Sequence, residues 1–169
     1  MHHLISQSWH TRSPWLKHVF GLFNSGPWGA NIVRVNGIDL SLEDIHNRII
    51  RPIWNDPRTH YAVHNATIGG ANISKKVFTG KTISNQLNHA ASDYINSLRA
   101  VQIINHELVV SKVFDWFKDD FGGCDKHIIQ HIKDYAKPPL KKQMTNISKI
   151  STYHYNWHLN AVPSPNNTL

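Results

Sequence analysis

The apolar positions along residues 31–49 change period once, and the change marks two elements. Ile32-Val33-Arg34-Val35 and Ile38-Asp39-Leu40 flank Asn36-Gly37. Asn-Gly readily supplies the two positive-φ residues of a tight hairpin turn. Ser41 comes next, with Asp44 three residues on, the spacing of a reciprocal capping box. Leu42, Ile45 and Ile49 then recur on one helical face, and Pro52 is expected to stop the helix. Beyond it, Tyr61-Ala62-Val63, entered through Asp56-Pro57, predicts a short buried strand, with Gly69-Gly70 ending the segment in a loop.

The second half repeats the hairpin-then-helix order. Thr82 to Asn96 is amphipathic, with Ile83, Leu87, Ala90, Ala91 and Tyr94 on one side. Val101 to Ile104 and Leu108 to Val110 flank Asn105-His106-Glu107, a second hairpin. Ser111 can cap a helix carrying Val113, Phe114 and Phe117, closed by Gly122-Gly123. Asp125 can cap another with Ile128, Ile129 and Ile132, ending before Pro138-Pro139. Ile150 to Leu159 alternates and predicts a late strand. Residues 1–19 have no clean periodicity, and residues 161–169, with Pro163-Ser164-Pro165-Asn166-Asn167, read as a flexible tail. Hairpins mixed with about four helices, without regular βαβ alternation, predict a single α+β domain.

Composition agrees with one folded domain. The chain has 169 residues, 40% hydrophobic and 17% charged, a balance that separates it from disordered sequences. The formal charge of +7 arises from 18 basic against only 11 acidic residues, so it reflects few acids rather than a basic tract. The nearest basic cluster, Lys137 to Lys142, is interrupted by Pro138, Pro139 and Leu140. Without a recognition motif, nucleic acid is not the expected partner, and a basic interaction module is a secondary alternative. Cys124, in Phe121-Gly122-Gly123-Cys124-Asp125, is the only cysteine, which excludes an intrachain disulfide and a cysteine metal cluster. The N-terminal residues lack the pattern of a signal peptide, and no apolar run reaches the roughly 18 residues of a membrane span. The expectation is that the chain stays where it is made.

Thirteen histidines raise the question of a metal. His127 and His131 stand four apart on a helix, and His60/His64 and His154/His158 would share strand faces. Ile128-Ile129-Gln130 lies between the first two, so the Glu of H-E-x-x-H is missing, and no pair brings a third ligand nearby in sequence. No metal and no cofactor are expected. There is no G-x-S-x-G elbow and no P-loop. The paired carboxylates Asp119-Asp120 and Glu43-Asp44 fall near helix ends, where capping explains them.

An ordered set of segments is similar to one family. FNSGPW (Phe23 to Trp28), LSLEDI (Leu40 to Ile45), IIRPIWNDPRTHYAV (Ile49 to Val63), VFDWFKDDFGG (Val113 to Gly123) and YHYNWHLN (Tyr153 to Asn160) resemble, in order and spacing, the bacterial domain of unknown function 547 family. The resemblance runs from about Phe20 to Asn160. It implies an incomplete domain, because the family's N-terminal helical portion has no counterpart before Phe20. It also implies an apolar face left uncovered and open to self-association.

The family pattern H-Y-A-V-N-C-A-S-I-G-C-P-N-L appears here as HYAVHNATIGGANI, with Asn65 and Gly70 at the cysteine positions and His60 retained. His46 stands where relatives carry an acid, and His154 and Asn156 replace the acids of the late motif. A thiolate is a strong nucleophile near neutral pH, and an Asn amide is a very poor one. The resemblance therefore implies a degenerate site around His60, Asn65, Gly70 and His46. It points to a catalytically inactive remnant or pseudoenzyme, with any surviving binding groove near His60, Asn65 and Trp116. The alternative is a thiol-type hydrolase or transferase. Relatives are often exported, and the segment that would direct export is not recognisable here.

Overall fold

The computed structural model describes residues 28–160. The tail expected over residues 161–169 and the segment before residue 28, including most of FNSGPW, lie outside the described residues.

The first hairpin forms as its pattern predicts. β1 (Asn31–Val35) pairs antiparallel with β2 (Ile38–Ser41), in register Val35↔Ile38 and Arg34↔Asp39. The turn holds Asn36 at φ 51° and Gly37 at φ 81°, the left-handed pair that Asn-Gly favours. Arg34 and Asp39 face each other across the strands, with Nε 2.7 Å from Oδ1. Both are well exposed, so the pair contributes little.

Ser41 ends β2 and opens the next segment through the expected capping box. Its Oγ accepts from the Asp44 backbone N–H at 3.0 Å, and the Asp44 carboxylate accepts from the Ser41 N–H at 3.0 Å and from its hydroxyl at 2.6 Å. The segment opened by this box is not the expected α-helix. Asp44–Ile50 is π-helical, closed by a bond from the Arg51 N–H to the His46 carbonyl. α1 (Arg51–Trp54) continues directly from it. Pro52 does not stop the helix. It sits in the first turn of α1, where a missing N–H is tolerated. The stop is Asn55, in the left-handed conformation at φ 45°.

The strand expected at Tyr61-Ala62-Val63 is absent, and a 3₁₀ turn, Pro57–Tyr61, stands in its place. Asp56 caps the turn by accepting from the Arg58 N–H at 2.9 Å, and Pro57 presets φ in the first turn. Burial of Tyr61 produces the strand-like signal, since one buried residue in a short apolar run fits either element.

The remaining elements are α2 (Ile83–Ile95), β3 (Val101–Ile104), β4 (Glu107–Ser111), α3 (Val113–Trp116), a 3₁₀ turn Lys118–Phe121, α4 (Asp125–Tyr135), α5 (Pro138–Gln143) and β5 (Thr152–His154). β3 and β4 form the second hairpin, with its turn tightened to Asn105 and His106, both at positive φ. The late strand is confined to β5, which adds parallel to β4 to give the order β3-β4-β5. Pro138-Pro139 starts α5 rather than merely ending α4. The mixed helices and two sheets make an α+β fold, as the hydrophobic pattern predicts.

One core joins these parts. Leu87, Ala91, Tyr94 and Ile95 of α2 are buried, as are Val101, Leu108 and Val110 of the sheet and Ile128, Ile129 and Ile132 of α4. Phe114 and Phe121 lie between them with ring centroids 5.0 Å apart. Burying each large apolar side chain of this kind is worth roughly 1.5–3 kcal/mol. Tyr94 ties this core to the loop before α2: its hydroxyl lies 2.8 Å from the Gly69 carbonyl and 2.9 Å from Ser111 Oγ.

The capping box makes one stability prediction. Ser41→Ala removes both bonds of the hydroxyl at a buried residue and is expected to lower unfolding free energy by about 1–2 kcal/mol. Glu43→Ala, at an exposed neighbour that makes no capping bond, serves as the control in urea denaturation. Equal midpoints for the two variants would contradict this account.

Candidate functional site

Three elements distant in sequence converge on the carboxylate of Asp120. Arg51 of α1 donates from Nε to Oδ2 at 2.6 Å and from Nη2 to Oδ1 at 3.0 Å. His60, from the 3₁₀ turn Pro57–Tyr61, places Nε2 2.7 Å from the same Oδ2. The two-pronged guanidinium–carboxylate pair is the stronger class of hydrogen-bonded ion pair. The Arg51 guanidinium also lies 4.9 Å above the Phe117 ring, which stacks on His60 at 4.0 Å and 17°. His46, one π-helical turn before Arg51, meets His60 edge-on at 5.4 Å and Phe117 at 5.3 Å.

Environment fixes the charges. Arg51, then His60, hold the Asp120 carboxyl below its ordinary value against partial burial. Burial pushes His60 down to about 4, outweighing the pull of Asp120. His46 is pushed down as well, first by burial and then by Arg51. At neutral pH the His60 imidazole is therefore uncharged, and facing a carboxylate it carries its proton on Nε2. Its Nδ1 is buried without a protein partner, as is Nε2 of His46. The His60 side chain is only 1% exposed.

Asn65 belongs to a different cluster. Its Nδ2 donates to the Tyr155 hydroxyl, while its Oδ1 accepts from Thr67 Oγ1 at 2.7 Å and from the Thr67 N–H at 3.3 Å. Thr67 Oγ1 and the Tyr155 hydroxyl are 2.8 Å apart. With the Thr67 proton committed to Asn65, Tyr155 donates to Thr67, and the three side chains close a ring of hydrogen bonds. Burial raises the Tyr155 phenol and keeps it protonated for that role. Trp116 packs on Tyr155 at 4.7 Å and on Trp157 at 5.1 Å, and remains 40% exposed.

The expected site thus divides. His46 and His60 lie together around Asp120, whereas Asn65 and Trp116 are joined through Tyr155. Gly70 lies against Asn65. Among the described residues, no hydrogen bond connects His60 with Asn65. Sequence reasoning missed Arg51, and it assigned Asp120 to helix-end capping. His60 is oriented by Asp120, from VFDWFKDDFGG.

Members of two of the three histidine pairs are engaged by other partners. His127 Nδ1 is 2.7 Å from the Gly122 carbonyl, while His131 Nε2 meets the Tyr61 hydroxyl at 2.9 Å. His64 bonds the Ala71 carbonyl instead of sharing a strand face with His60. Among the described residues no group of three or more His, Cys, Asp or Glu side chains could hold a metal ion. Cys124 is exposed at the N-terminus of α4. No helix among the described residues is long and apolar enough to cross a membrane.

Stability should depend on His60 and His131, both of which burial pushes down to about 4. Between the ordinary histidine value of about 6.5 and 4, the unfolded chain binds more protons than the folded one, so stability falls as pH falls through that window. For His60 alone the full loss is about 3 kcal/mol. Urea midpoints measured from pH 7 to 4 should show this slope, and His60→Gln should reduce it. An unchanged slope in that variant would remove His60 from the account.

A comparison with family models matches residues 1–95 to the family described as "Protein of unknown function, DUF547". The matched span is more than half of the chain's 169 residues. It includes His46, His60, Asn65 and Gly70, and ends with α2. No curated protein and no solved structure matches the chain.

Proposed function

Since the chain belongs to the DUF547 family, we propose that it is a non-catalytic member in which the histidine site has a structural role. The observation that carries this reading is the state of His60. Its imidazole is buried, neutral, stacked on Phe117 and bonded to a carboxylate already neutralised by Arg51. A general base needs a nucleophile within hydrogen-bond reach. Position 65 offers an amide held by Thr67 and Tyr155, and Nδ1 of His60 has no partner. Arg51, Asp120 and His60 then act as a polar rivet between α1 and the two 3₁₀ turns. Any retained binding falls to the face of Trp116, Tyr155 and Asn65 rather than to His60.

The imidazole–carboxylate pair favours one other reading, a thiol-type hydrolase or transferase of the same family, because a carboxylate on one ring nitrogen is the way such bases are oriented. That reading needs an ionisable nucleophile at Nδ1.

Two measurements separate the readings. The purified chain, offered simple aryl esters and acyl thioesters, should show no turnover above that of its His60→Ala variant. In Asn65→Cys, the alkylation rate with iodoacetamide should rise with a midpoint at or above the ordinary thiol value of about 8.5. Ester or thioester turnover that disappears with His60, or a thiol titrating below pH 7, would install the hydrolase reading instead.

A further inference from the structure

The loop from Asn65 to Gly70 contains a contact that the histidine cluster does not use. A Cβ built on Gly70 would stand 2.5 Å from Asn65 Oδ1 and 3.5 Å from Asn65 Cγ. The first distance is far inside van der Waals contact, so the Asn65 amide occupies the space that a side chain at 70 would need. Gly70 is not in the left-handed region, so backbone conformation does not demand glycine there. The demand comes from Asn65.

The amide has little freedom to move away. Its oxygen is held by Thr67 and its nitrogen by Tyr155, within the closed ring of hydrogen bonds. Rings of this kind strengthen each member and make partial loss costly. Between the two ends of the contact, Ala66 sits at φ 61°, a conformation that L-residues other than Asn and Asp rarely adopt. A strained residue of this sort persists only where its surroundings hold it. The Asn65 ring supplies that restraint, and the Asn160 N–H bonds the Ala66 carbonyl at 2.9 Å.

We propose that Asn65 and Gly70 form one coupled unit, a polar clasp occupying a position whose geometry suits a disulfide bridge. Cγ of Asn65 stands one bond beyond its Cβ, where the sulfur of a cysteine at 65 would lie. With S–S near 2 Å, a sulfur and the opposite Cβ of a bridge stand about 3 Å apart, so the 3.5 Å between Asn65 Cγ and a Cβ at 70 closes with a shift of about half an ångström. The clasp closes this loop without an oxidant and ties it through Tyr155 to the segment after β5. This inference rests on the Gly70 contact and is independent of whether the histidine cluster is catalytic.

The test is a double-substitution cycle together with a cross-linking measurement, both made on the full chain. Gly70→Ala should lower the thermal midpoint by roughly 5 °C or more. In an Asn65→Ala background the same change should cost little, because the nearest atom outside Asn65, the Thr67 carbonyl oxygen at 3.4 Å, is in ordinary contact. Asn65→Cys/Gly70→Cys, treated with oxidised glutathione, should form an internal bridge. The two thiols give up two protons and two electrons, and the oxidant becomes two molecules of glutathione. Alkylation then finds Cys124 reactive and the new pair protected. Equal Gly70→Ala penalties in both backgrounds would overturn the coupling. A stable double variant that collects glutathione on separate thiols instead of bridging would overturn the cross-link geometry. Neither readout involves turnover, so each can fail while the reading of His60 stands, and the converse also holds.

Discussion

The convergence of Arg51 and His60 on one carboxylate is the constraint on which the arrangement of the first half of the chain depends. The first hairpin and the π-helical segment bury little of their own. Ile32, Val33, Val35, Ile38, Ile53 and Trp54 are all exposed. Their orientation relative to the core therefore depends on what α1 presents inward, and what it presents is Arg51. An exposed ion pair would hold such an element weakly. This one is partly buried, two-pronged and shared with a second donor, so each bond is strengthened by its surroundings. The π-helical widening before it brings His46 and Arg51 to bear on the same aromatic ring, Phe117.

On the proposed reading, a histidine and an acid resemble a catalytic pair and act structurally. A carboxylate orienting an imidazole is common to enzymes and to buried polar staples, and the difference lies at the ring's other nitrogen. Here that nitrogen is buried without a hydrogen-bond partner, and burial lowers the imidazole to about 4, which makes it a weak proton acceptor. Asn65, five residues further along the chain, is engaged by Thr67 and Tyr155. Among the described residues, the two clusters share no hydrogen bond, and each is closed by its own network.

Much of the fold is legible in the sequence because its signals are local. Asn36-Gly37, the Ser41–Asp44 box and the amphipathic face of α2 each state their structure within a few residues. Pro52 misleads because proline is tolerated at the start of a helix, and the chain begins a new turn there instead of ending one. Tyr61 misleads because Asp56-Pro57, a capping signature for a short turn, also resembles the entry to a strand. The site is less legible for a different reason. Asp120 meets Arg51 and His60 across 69 and 60 residues, and nothing in the spacing of an Asp-Asp pair reveals a partner so far away. Gly70 likewise reads as loop punctuation, and only the position of Asn65 shows that its missing side chain is a packing requirement.

The segment after β5 gives the fold a temporal order. Ile68 and Gly69 donate their N–H groups to the His158 and Asn156 carbonyls, and Asn160 donates back to Ala66. A loop near the middle of the chain is thus completed by residues close to its end. During synthesis from the N-terminus, the region matched to the family leaves the ribosome with those backbone groups unsatisfied, and they remain so until about ninety residues later. The segment after the last strand is the lace that draws this earlier loop tight.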